Sequence, residues 1–85
     1  MPYTLTYTAR ALRDLKSLAR QDQERIIGAL ESITDNPSAS VHPLEGAQLW
    51  SLRVGRYRVL LDIRRQNLLI LVIGVGHRKN IYHRI

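Results

Sequence analysis

Arg53 and Arg58 bracket the stretch Val54-Gly55-Arg56-Tyr57, and a glycine in the first central position of a two-residue link suits a type II′ hairpin turn. That turn predicts the pairs Val54 with Tyr57, Arg53 with Arg58, Leu52 with Val59 and Ser51 with Leu60. Directly opposed residues share a face of a sheet. The two guanidiniums therefore emerge side by side, away from Leu52, Val54, Tyr57, Val59 and Leu61. Like charges placed this way repel, and a bound anion removes the penalty. Guanidinium forks match phosphate geometry, so Arg53 and Arg58 form a candidate phosphate clamp. The plainer alternative is that both side chains spread into solvent.

A second constellation, Gly76-His77-Arg78-Lys79-Asn80-Ile81-Tyr82-His83-Arg84, follows a long apolar run. Its cations suit phosphate, while His77, His83 and Tyr82 can exchange protons or stack on a base. A histidine in such a loop is more often structural or idle than catalytic. Tyr82 is open to a second use as a packing anchor beside Ile81. Its position among cations favours the phenolate, the form a base requires.

Other chemistries lack their residues. The sequence has no cysteine, hence no thiol nucleophile, disulfide or thiolate metal site. It contains no phosphate-binding glycine loop ending in Lys and Ser or Thr, no Gly-x-Gly-x-x-Gly and no Gly-x-Ser-x-Gly. His42, His77 and His83 do not stand at metal-ligand spacings with carboxylates. A metal-dependent nuclease needs converging carboxylates, and the last third of the chain has only Asp62. Any nuclease here is expected to be metal-free, with no cofactor.

Charge separates the chain in two. Residues 1–52 carry five basic and six acidic side chains, whereas residues 53–85 carry eight basic ones (Arg53, Arg56, Arg58, Arg64, Arg65, Arg78, Lys79 and Arg84) against Asp62. A cationic footprint confined to one third of a chain points to a polyanion, nucleic acid above all, or to an acidic protein segment.

The elements that must position these groups are legible in the periodicity. The 85 residues, 45% of them hydrophobic, fit one domain spanning 1–85 with a modest core. Tyr3-Thr4-Leu5-Thr6-Tyr7 alternates as a strand with one buried face. Thr8 then caps a helix over about residues 9–20, with Leu12, Leu15, Leu18 and Ala19 inward and Arg10, Arg13, Lys16 and Arg20 largely toward solvent. Asp22 is placed to cap a second helix with the stripe Ile26, Ile27, Leu30 and Ile33, stopped by Asn36-Pro37. So short a link predicts an antiparallel helical hairpin. Residues 37–46 read as a loop, and strands follow at Leu49–Val54, Tyr57–Ile63 and Leu68–Val75. The expected fold is α+β: an N-terminal strand, a two-helix antiparallel hairpin, then a three-stranded antiparallel meander with the helices on one face. The longest apolar run is too short to span a membrane, and no basic-then-apolar leader opens the chain. An intracellular home fits.

This order of elements, with Leu44-Glu45-Gly46, Trp50-Ser51-Leu52-Arg53-Val54-Gly55-Arg56-Tyr57-Arg58-Val59-Leu60 and Gly76-His77-Arg78-Lys79-Asn80-Ile81-Tyr82, resembles the RelE/ParE toxin superfamily over nearly the whole chain. The resemblance implies the toxin of a type II toxin-antitoxin system. RelE-like members are mRNA interferases that enter the ribosomal A site and cut mRNA; ParE-like members share the fold and inhibit DNA gyrase. Carried onto this sequence, the RelE-type catalytic positions are Arg58, Arg78 and Tyr82, with Arg53 at one of two basic positions on the preceding strand and Ser51 at the other. Arg56, His77, Lys79 and His83 are the substrate-binding candidates around them.

Under the RelE-like reading the activity is a cytoplasmic, ribosome-dependent endoribonuclease in which the 2′-hydroxyl attacks the adjacent phosphate, leaving a 2′,3′-cyclic phosphate and a 5′-hydroxyl. The partners implied are a RelB-like antitoxin, with a toxin-antitoxin heterotetramer as one assembly, the ribosome and mRNA, and no membrane. Two rivals stay open on sequence: a gyrase-inhibiting toxin of the same fold, and a nucleic-acid-binding module without catalysis, which would show steep salt dependence and no product.

Overall fold

The computed structural model describes residues 2–44 and 48–77. In chain order the elements are β1 (Thr4–Tyr7), α1 (Ala9–Lys16), α2 (Arg20–Ser32), β2 (His42–Pro43), β3 (Trp50–Val54), β4 (Tyr57–Arg64) and β5 (Leu69–His77), with short 3-10 turns at Pro37–Ala39 and Arg65–Asn67.

The three late strands form the expected antiparallel meander, β3 with β4 and β4 with β5. The sheet is nevertheless larger than that meander and mixed. Its strand order is β1-β5-β4-β3-β2, with β1 parallel to β5 (Leu5 opposite Ile70, Tyr7 opposite Val72) and β2 antiparallel to β3. Alternation identifies β1 as a strand but carries no information on its neighbour, because that pairing joins opposite ends of the chain. The expected loop at 37–46 hides β2, where His42 pairs with Ser51 and Pro43 with Trp50. An edge strand pairs on one side only, so it tolerates a proline that would break a central strand.

The helices depart from their expected ends. Thr8 does cap α1: its hydroxyl oxygen accepts from the Ala11 amide at 3.0 Å. The helix stops at Lys16 rather than near residue 20, because the Ser17 amide and hydroxyl both turn back onto the last turn, the hydroxyl donating to the Asp14 carbonyl at 2.6 Å. Leu12, expected inside, is 48% exposed. Asp22 is not the cap of α2; Ala19 holds that position without a side-chain bond, and the Asp22 carboxylate instead accepts from the Tyr57 hydroxyl at 3.0 Å.

Both helices lie on one face of the sheet. Ala11 and Leu15 from α1 and Ile26 and Leu30 from α2 share a single core with Leu52, Val54, Val59, Leu61, Ile70, Val72 and Val75. Removing each large aliphatic side chain from water stabilises the fold by about 1.5–3 kcal/mol before entropy is counted. The opposite face is not simply polar, as alternation implies for Ser51 and Arg53: Ser51 and Leu60, paired on that face, are also closed from solvent.

Among the described residues no strand lies beside the outer edge of β5 past Tyr7, and Thr8 and α1 supply partners there. The Thr8 amide bonds the Val72 carbonyl at 3.0 Å, the Thr8 hydroxyl donates to the Ile73 carbonyl at 2.8 Å, and the Asp14 carboxylate accepts from the Val75 amide at 3.0 Å. Backbone groups that would otherwise be stranded at the sheet edge are thus satisfied by Thr8, the cap of the first helix, and by the Asp14 side chain within it. Among the described residues, no helix is long and apolar enough to cross a membrane.

Candidate anion site on the β-sheet

The hairpin that carries the arginines forms for a local reason. Gly55 has φ +59, and among the described residues the only non-glycine with positive φ is Leu68, so Arg56 stays in the ordinary half of backbone space. Positive φ at the first central residue alone is the II′ pattern; a I′ turn needs it at both. The register that results is the expected one in full, with Arg53 opposite Arg58, Leu52 opposite Val59 and Val54 opposite Tyr57. A Cβ on Gly55 would lie 3.4 Å from a terminal nitrogen of Arg25 on α2, so the turn is also close to the helix layer.

The two arginines differ in their surroundings. Arg53 is exposed, as is Arg56 in the turn, whereas Arg58 on the central pair of strands is half-buried, its Nε closed from water. Opposite Arg58 on β5 stands Gly76, and opposite Leu60 stands Gly74. Across from Arg58, β5 therefore presents a residue with no side chain, Gly76, while Gly74 is buried.

His77 does not join the arginines. It pairs with Tyr57, on the core face, and its ring packs edge-on against that tyrosine at 5.7 Å between centroids. Arg78, Lys79, Tyr82 and His83 lie outside the described residues. Tyr57 is itself fixed by its hydrogen bond to Asp22. That bond, followed by burial and the charge of Asp22, holds the phenol above its ordinary pKa, with Arg56 acting in the opposite sense. Tyr7 is raised as well, by burial and then by Glu31.

Two groups against β5 carry no simple sequence signal. Arg10, expected on the solvent side of α1, lies with its Nε 3.8 Å from Asp14 Oδ2 and only 29% of its side chain exposed. A Cβ on Gly74 would stand 3.3 Å from Asp14 Oδ2 and 3.4 Å from Arg10 Nε. The i,i+4 spacing of Arg10 and Asp14 announces an ion pair; that the pair docks on β5 follows only from the parallel placement of β1. Elsewhere Asp62, the acid of the basic third, accepts from Arg64 Nε at 3.1 Å, and Arg65 stacks over Trp50 at 5.9 Å. Among the described residues, no three His, Asp or Glu side chains are grouped to hold a metal ion.

Ser51, opposite Leu60 on the same face as Arg53, is 1% exposed, and Arg53 is the cation of β3.

The sequence matches the family model of the ParE toxin of the type II toxin-antitoxin system parDE over residues 5–82. It is 33% identical over 87 residues to Toxin RelG of Mycobacterium tuberculosis, covering 99% of this chain and 100% of the relative. The fold superposes on the crystal structure of the toxin-antitoxin complex RelBE2 from the same organism with TM-score 0.83 and 31% identity, covering 92% of this chain and 100% of that one. An archaeal RelE-RelB complex from Pyrococcus horikoshii shares the fold at TM-score 0.80 and 22% identity, over 94% of this chain and 99% of that one.

Proposed function

We propose that this chain, which belongs to the RelE/ParE superfamily of type II toxin-antitoxin toxins, is a RelE-like mRNA endoribonuclease that works on the ribosome and so blocks translation in the cytoplasm. The observation that carries the reading is the cross-strand pair Arg53 and Arg58 on one face of the sheet, with Gly76 of β5 opposite Arg58. This arrangement suits a substrate whose charge grows at one phosphate.

In this reaction the 2′-oxygen of RNA bonds to the adjacent phosphorus while the bond from phosphorus to the 5′-oxygen breaks. The products are a 2′,3′-cyclic phosphate and a 5′-hydroxyl. Tyr82 or a neighbouring base takes the 2′-proton, and the departing 5′-oxygen takes one from water. Arg53 and Arg58 stabilise the negative charge that builds on the phosphate, and Arg78 stabilises the leaving oxygen. Arginine gives up a proton too reluctantly to be an efficient acid, so electrostatics is its physically easier role. One preorganised donor is worth about 10²–10³ in rate, and acid-base help about 10²–10⁴. Orientation of the mRNA by the ribosome supplies a further several kcal/mol, which accounts for a dependence on it. Arg56, Lys79 and His83 would line the approach of the strand. His77, turned toward Tyr57, would serve best through that contact.

A RelB-like antitoxin is the natural restraint, since the related RelBE2 and RelE-RelB structures are toxin-antitoxin complexes and the basic third favours acidic segments of a partner. A second reading, gyrase inhibition, is favoured by the ParE description of the matching family model. Primer extension on translating ribosomes separates the two. The wild type is expected to give mRNA cuts that vanish in Arg58→Ala and Tyr82→Phe. Inhibition of gyrase supercoiling with mRNA left intact would move the assignment to the second reading, and unchanged cutting in both variants would reject the site.

A further inference from the structure

The face that carries Arg53 and Arg58 continues past the hairpin onto the edge strand β2. His42 stands directly opposite Ser51, and Ser51 lies two residues before Arg53 on β3, so the imidazole leaves the sheet on the same side as the two guanidiniums. The diagonal from His42 to Arg53 is about 7–8 Å, a span that a ring and a long side chain can bridge. Across the sheet the row reads His42, Ser51, Leu60 and Gly74, with His42 its titratable member. Two features hold the backbone there. Pro43 restricts the residue before it to extended conformations, and the Leu44 amide donates to the Leu49 carbonyl at 2.9 Å, tying the start of the connection between β2 and β3 to its end. His42 is exposed, open to a substrate lying on this face.

We propose that His42 is the general acid of the RNA cleavage, a catalytic residue whose imidazolium N–H gives its proton to the departing 5′-oxygen. This rests on the reading of the chain as an RNA-cleaving toxin. As the bond from phosphorus to the 5′-oxygen breaks, the proton passes from the imidazolium to that oxygen, which would otherwise draw it from water. The neutral ring then regains a proton from water, so the step needs no other reactant. The assignment follows from what the other groups can do. Arginine is too weak an acid to release a proton readily, whereas imidazole exchanges one near neutrality. On the shared face of β3 the neighbours of His42 are Ser51 and Arg53; β3 carries no acidic residue, so no carboxylate of that strand competes for the proton. On β4 beyond it lie Arg58 and, further along, Asp62, whose carboxylate is held by Arg64 Nε at 3.1 Å.

The test is single-turnover mRNA cleavage on programmed ribosomes with two messages, one ordinary and one carrying sulfur in place of the 5′-oxygen at the cleaved linkage. A thiolate leaves without needing a proton, so the second linkage does not call on an acid. His42→Gln is expected to cut the ordinary message about 10²–10⁴-fold more slowly than the wild type, and the thio-linked message at the wild-type rate. Wild-type speed on the ordinary message overturns the assignment of His42 and leaves the toxin reading intact, as does equal slowing on both messages. A wild type that cuts neither message on ribosomes overturns both. Should His42→Gln fail to fold, the wild type decides. Its ratio of ordinary to thio-linked rate must fall as pH rises through the imidazole range, because the imidazolium donor is lost while Arg53 and Arg58 keep their charge throughout. A ratio independent of pH rejects the proposal.

Discussion

Replacing Arg53 by glutamine should stabilise the protein while damaging its activity. The register places the two Cβ atoms directly opposite each other, about 5 Å apart. With the guanidiniums splayed to about 6 Å, Coulomb's law in water gives a repulsion of about 0.7 kcal/mol. Screening reduces this to about 0.6 kcal/mol at about 0.01 M salt, about 0.3 at physiological ionic strength and about 0.1 at about 1 M. For a chain of this length the unfolding entropy converts the low-salt figure into a rise in Tm of about 3 °C, falling below about 1 °C at high salt. Calorimetry of Arg53→Gln and wild type at the three salt concentrations provides the measurement, with ribosome-programmed mRNA cleavage of both as the companion assay. Small differences in strand preference between Arg and Gln shift all three salts alike, so the diagnostic is the salt dependence. A gain that does not shrink with salt would show that the two charges do not oppose each other in the folded state. An unchanged cleavage rate would show that the pair is not the phosphate clamp.

Three further outcomes follow from contacts described above. Asp14→Ala strands the Val75 amide at the edge of β5 and should cost about 1–3 kcal/mol in urea unfolding, with Asp14→Asn, which keeps an acceptor, losing less and preserving slow exchange of that amide. Gly55→Ala forces a side chain into φ +59 and should destabilise the hairpin by about 1–2 kcal/mol, read by thermal melting. Tyr57→Phe removes the bond to Asp22 that raises the tyrosine pKa. The folded state of the wild type keeps that proton above the unfolded pKa, so its extra stability is complete below about pH 10 and is lost as pH rises through the folded value. Alkaline unfolding curves of the variant should therefore fall less steeply over that window, the contribution of Tyr7 remaining in both.

Much of the site was legible because it is local. A glycine at position 55 fixes the turn, the turn fixes the register, and the register puts residues 53 and 58 on one face. Thr8 as a cap and the stripes of Ile26, Leu30 and the late strands are equally short-range patterns. Helix ends were less legible. Whether Asp22 caps its own helix or holds Tyr57 depends on a residue 35 positions away.

The sequence by itself determined the hairpin, the paired arginines, the concentration of positive charge in the last third, and a family resemblance over nearly the whole chain. The tertiary structure decided what periodicity cannot encode: that β1 lies parallel to β5, that β2 extends the other edge, that Ser51 is buried on the second face, and that His77 turns toward Tyr57. It also brought Arg10 and Asp14 from the first helix against Gly74. These all depend on which distant segments meet, and side-chain spacing along one segment specifies its own faces without naming the segment that will cover them.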